Sequence, residues 1–94
     1  MEGNYPVLLG QKAVGKVQVQ KCGLYYRIIC RCKVTGDTVC RLCLQCGDRH
    51  LPVGVVVPEG DGFGLDTKIS IKRIGEGNPQ FSLIPKQERI TGTF

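Results

Sequence analysis

Leu24-Tyr25-Tyr26-Arg27-Ile28-Ile29-Cys30-Arg31-Cys32-Lys33-Val34, followed by Thr35-Gly36-Asp37 and then Thr38-Val39-Cys40-Arg41-Leu42-Cys43-Leu44-Gln45-Cys46, is the stretch on which the fold turns. The first flank is rich in Tyr, Ile and Val, and both flanks alternate apolar with polar residues, the signature of half-buried strands. Paired as a hairpin through a two-residue Gly36-Asp37 loop, they would set Cys32 against Arg41 and Ile28 against Gln45, mixing the two faces. A three-residue loop, Thr35-Gly36-Asp37, moves the register by one. Tyr26 then opposes Cys46, Ile28 opposes Leu44, Cys30 opposes Leu42 and Cys32 opposes Cys40. One face becomes apolar, and the other carries Tyr25, Arg27, Ile29, Arg31 and Lys33 against Arg41, Cys43 and Gln45. A strand pair favours one clean buried face, so the second register is the expected one.

The same signs extend outward. Residues 1–12 hold one short apolar run, Val7-Leu8-Leu9, and suggest a partial first strand. Val17 and Val19 alternate with Lys16, Gln18 and Gln20. Val53 to Val57 is almost continuously apolar, which predicts a strand covered on both faces. Asp61-Gly62 is a tight-turn pair. Ile69 and Ile71 alternate with Lys68, Ser70 and Lys72, Gly75 to Pro79 breaks the chain, and Phe81 to Ile84 is a last strand. The polar stretch from Lys86 to Phe94 is expected to fray. No segment has helical periodicity. The expected fold is therefore all-β, a small antiparallel barrel or sandwich of six to seven short strands in one domain spanning 1–94.

Composition narrows the functional classes. Hydrophobic residues make up 41% and charged residues 22% of the chain, ordinary values for a folded domain and not for a disordered one. No apolar run is long enough to span a bilayer. The first residues, Met1-Glu2-Gly3-Asn4-Tyr5-Pro6, lack the basic and apolar regions of a secretory signal, so a cytoplasmic location without membrane partners is expected. Thiols then stay reduced, and the six cysteines argue against a disulfide framework.

Five of those cysteines fall between Cys30 and Cys46. In the expected register Cys30, Cys32, Cys40 and Cys46 occupy sites where Val or Leu would serve, because a thiol packs as a small hydrophobe. The rival use is metal. Cys43-Leu44-Gln45-Cys46-Gly47 matches a C-x-x-C-G knuckle, and Cys40 and His50 lie close enough in sequence to complete four zinc ligands. A zinc ribbon needs a second, separate C-x-x-C, where the chain offers only Cys30-x-Cys32, and strand alternation sends Cys43 and Cys46 to opposite faces. No cofactor is expected, with zinc as the alternative.

Net charge is +5, which makes an anionic partner possible. Tyr25, Arg27, Arg31, Lys33 and Arg41 share the outer hairpin face, where arginine can neutralise phosphate and tyrosine can stack on a base. The plainer alternative is a solvated face whose cations pair with acids from elsewhere. Gly60-x-Gly62-x-Gly64 precedes a strand where a phosphate loop needs a helix. His50, the only histidine, has no third group to orient it for catalysis. No catalytic constellation stands out, and the chain is expected not to be an enzyme.

Gly23-Leu24-Tyr25-Tyr26-Arg27, Cys30-Arg31-Cys32 and Leu51-Pro52-Val53-Gly54-Val55-Val56-Val57-Pro58 resemble a small domain of uncharacterised bacterial proteins, over roughly Gly15 to Pro85. That resemblance implies a domain of unknown function and carries no catalytic motif. The expected function is a non-enzymatic interaction module for an unknown protein partner, its short strands open to a partner strand. Single-stranded nucleic acid bound by the basic face is one alternative; a zinc-stabilised structural module built on Cys40, Cys43, Cys46 and His50 is the other.

Overall fold

Turn chemistry sets the layout of the strands. In the computed structural model, which describes residues 1–34, 39–75 and 77–85, hairpins close through the two-residue turns Gly10-Gln11, Gly23-Leu24, Gly47-Asp48 and Gly60-Asp61. The leading glycine has φ between 61° and 64° in all of them, a left-handed conformation open to a residue without Cβ. The strands so joined are β1 (Gly3–Leu9) with β2 (Lys12–Cys22), β2 with β3 (Tyr25–Cys32), β4 (Cys40–Cys46) with β5 (Arg49–Val55), and β6 (Val57–Glu59) with β7 (Gly62–Ser70). A 3₁₀ turn at Ile71–Arg73 leads towards β8 (Pro79–Pro85).

All eight strands form one sheet in the order β5-β4-β8-β1-β2-β3-β7-β6. It is mixed, because β8 lies parallel to β1 while pairing antiparallel with β4. The sheet curls into a nearly closed barrel, with β5 coming against β7. The seam is closed by side chains and by the chain itself. Gly54 packs so closely on Leu65 that a Cβ there would lie 3.1 Å from Leu65 Cδ2. Val56, only 3% exposed, carries the chain from β5 to β6, and its N–H donates to the Cys40 carbonyl at 3.1 Å.

Alternation fills the interior. Val7, Val17, Ile28, Leu42, Leu44 and Phe81 are fully buried, and Cys30, Cys32 and Cys40 pack with them. Among the described residues no polar or charged side chain is buried, and no helix is long and apolar enough to cross a membrane.

Several expectations need correction. The hairpin between Leu24–Val34 and Thr38–Cys46 does not form: β3 pairs with β2 and β7, and β4 pairs with β5 and β8. Both in–out phases survive, since Ile28, Cys30 and Cys32 on β3 and Cys40, Leu42, Leu44 and Cys46 on β4 all point inward. Eight strands are present instead of six to seven, and the sheet is mixed instead of purely antiparallel, because the N-terminal segment is a complete strand able to pair on both sides. The Val53–Val57 run is not one strand covered on both faces. It breaks at Val56, and Val55 and Val57 are left exposed. The turn expected at Asp61-Gly62 falls one residue earlier, and Ile71 belongs to the 3₁₀ turn. The Thr35-Gly36-Asp37 loop and the Lys86–Phe94 tail lie outside the described residues.

Candidate interaction surface

The residues expected to share one basic face divide into two sets. Arg27, Arg31 and Lys33 follow β3 outward, beside Tyr25 at its half-exposed end. Each of the three meets a carboxylate supplied by β7 or by the hairpin that joins it to β6. Arg27 donates to Asp66 through Nε (3.0 Å) and Nη2 (2.6 Å), a bidentate geometry suited to the guanidinium fork. That hydrogen bonding, with the mutual attraction of the charges, holds the Asp66 carboxyl below its usual range and raises Arg27 further. Arg31 Nη1 lies 2.8 Å from Glu59 Oε1. The Glu59 carboxylate can lie over the sheet there because position 64 is glycine; a Cβ on Gly64 would stand 3.0 Å from Oε1. Lys33 Nζ reaches Asp61 Oδ2 at 3.5 Å. The cation directly opposite Arg31 is Lys16 on β2, not Arg41.

Arg41 lies elsewhere on the barrel. It sits on the outside of β4, opposite Val55 of β5 on one side and Ile84 of β8 on the other. Among the described residues no carboxylate forms an ion pair with it. Its surroundings are apolar and open: Val39 is 45%, Val55 37%, Val57 52% and Ile84 52% exposed. The bond from the Val56 N–H to the Cys40 carbonyl draws Val55–Val57 against the start of β4, so these aliphatic residues converge around Arg41. A shallow recess of about 100 Å³ between Arg41, Cys43, Ile84 and Pro85 adds relief. Burial pushes the half-buried Cys43 thiol up, and the Arg41 charge opposes that rise.

The edges of the sheet are blunted beside this patch. Edge strand β5 carries Pro52, and edge strand β6 is three residues long and carries Pro58. A proline offers no N–H to an added strand, and short proline-bearing edges are how sheets resist edge pairing.

The expected zinc ligands do not come together. Cys40 and Cys46 are six residues apart on one extended strand, about 20 Å. Cys43 faces outward, and His50 stands exposed on β5 opposite Gln45. No group of three or more His, Cys, Asp or Glu side chains among the described residues is arranged to hold a metal ion. Cys46 instead serves the packing of the chain. Its thiol donates to the carbonyls of Gly75 (3.2 Å) and Gly77 (3.4 Å), tying the segment before β8 to the barrel.

That segment borders a cleft of about 510 Å³ at one end of the barrel, walled by Tyr5, Tyr26, Ile71, Ile74 and Pro79. Its size suits a small ligand. Two of its polar side chains are engaged internally: Tyr5 donates its hydroxyl to the Met1 carbonyl at 2.6 Å, and Cys46 is bonded as above.

Sequence reasoning missed Val39, Val55, Val57 and Ile84. The signal was present in Val53–Val57, because a strand alternates at period two and an unbroken apolar run must expose half of itself unless something covers it. No family model, no curated protein and no solved structure matches this chain.

Proposed function

We propose that this chain is a non-enzymatic interaction module that binds an acidic segment of a partner protein on the patch around Arg41. The supporting observation is the cluster of Val39, Val55, Val57 and Ile84, left open around an arginine with no carboxylate partner among the described residues. Contiguous exposed apolar surface marks contact sites, and arginine flanked by apolar groups is the composition of interface centres. The nucleic-acid alternative loses support, since the cations of β3 that would neutralise phosphates already face Asp66, Glu59 and Asp61.

Site-specific photo-cross-linking tests the surface. A photoreactive side chain at position 55 should give discrete adducts with a protein partner in lysate, mapped by mass spectrometry to an acidic segment. The same group at position 16, on the β2–β3 face, should give none. Equal adducts from both positions, or nucleic-acid adducts from position 16 alone, would overturn the assignment.

A further inference from the structure

Resting on that surface, the geometry points to a specific kind of occupant: a peptide segment that places one Asp or Glu between apolar side chains, lies across the strands, and adds no strand of its own. Val55, Arg41 and Ile84 form a row across β5, β4 and β8. Adjacent strands are about 4.8 Å apart, so the two aliphatic contacts flank the guanidinium within about 10 Å of each other. A carboxylate seated on Arg41 gains a charge-assisted bond, bidentate when both of its oxygens meet the guanidinium fork. Its neighbours one or two residues away then reach Val55 and Ile84.

Two other occupants fit less well. Strand addition needs an edge with donors, and Pro52 and Pro58 interrupt both edges. A second copy seated by a twofold axis through the patch would bring Arg41 against its own equivalent, and like charges in a shared contact disfavour it. Nor does the β3 face offer the same chemistry, because an incoming carboxylate there must displace Asp66 or Glu59.

A randomised peptide library displayed on phage is the probe. Selection on the wild-type protein should enrich sequences with Asp or Glu flanked by aliphatic or aromatic residues. A synthetic peptide from that pool should lose about tenfold in affinity on R41E and keep its affinity on R31E. Circular dichroism and unfolding midpoints would establish that both variants are folded. Enriched peptides that are apolar without an acid, insensitive to R41E but lost on V55D, would overturn the inference about the carboxylate while leaving the surface in place. Enrichment that survives both R41E and V55D, or no enrichment at all, would overturn the surface as well.

Discussion

Strands β3 and β4 share one alternation, apolar inward with arginine among the outward residues, yet their outer faces differ in kind. Along β3 and at the residue just past it, each of Arg27, Arg31 and Lys33 pairs with an acid from β7, from β6 or from the turn between them. On β4, Arg41 has Val55 on one side and Ile84 on the other. The same residue type is thus part of a self-neutralised, solvated face in one place and the polar centre of an open apolar patch in the other. The difference comes from the neighbouring strands, which sequence proximity does not reveal. A count of basic residues therefore says little about where an anion binds; the cross-strand partner decides it.

The largest expected effect tests the pairing behind this contrast. Gly15 of β2 lies against β3 so closely that a Cβ would stand 2.2 Å from the Arg31 carbonyl oxygen and 2.5 Å from Cys32 Cα. Gly15→Ala should destabilise the protein by about 3 kcal/mol or more in denaturant unfolding, because backbone cannot move aside as a flexible side chain can. A neutral result would mean that β3 does not pair with β2 here.

Next in size is the behaviour of the thiols. Burial, with the neighbouring Cys32, pushes Cys30 from 9.0 up to about 12. In that interval the unfolded chain releases a proton that the native state retains, so native stability should fall as pH rises from about 9 towards 12. Cys30→Ala should flatten that alkaline decline in unfolding experiments run across the range, and an unchanged decline would place its origin elsewhere. A thiol reagent at neutral pH should modify exposed Cys22 first, then half-buried Cys43, and the inward thiols only on unfolding. Sequence alternation alone placed Cys43 outward but could not place Cys22 at the rim of the β2–β3 turn.

Smaller effects should follow from the ion pairs of β3. Asp66 titrates below 3.8 in the native state because Arg27 holds its charged form. Its contribution is complete above that pH and disappears as pH falls through the native value. Asp66→Asn should therefore remove part of the acid sensitivity, measured as the unfolding midpoint between about pH 5 and pH 2. The smallest change is expected for Arg31→Gln. Its pair with Glu59 is exposed, 73% and 50%, and the loss of repulsion with Lys16 works the other way, so stability should move by no more than about 0.5 kcal/mol.

Legibility in the sequence followed the range of the interactions involved. The inward phase of β3 and β4 was readable because alternation is written residue by residue, as Ile28-x-Cys30-x-Cys32 and Cys40-x-Leu42-x-Leu44-x-Cys46. The pairing was not, because Thr35-Gly36-Asp37 reads as a turn that would give a clean register, whereas β3 and β4 do not pair. Gly47-Asp48 is the turn β4 does use, and it was masked by the knuckle-like Cys43-x-x-Cys46-Gly47. The parallel contact between β1 and β8 joins residues such as Val7 and Phe81 that are far apart in sequence. No local pattern reports such a contact. The patch around Arg41 depends on that long-range arrangement, since Ile84 reaches Arg41 only because β8 lies beside β4.

Amide chemical-shift mapping by NMR tests the contrast most directly, with the display-selected acidic peptide titrated into labelled protein. Perturbations should concentrate at Val39, Arg41, Val55, Val57 and Ile84 and leave Arg27, Arg31 and Lys68 in place. Shifts centred on β3 and β7, with the Arg41 surface silent, would contradict the account.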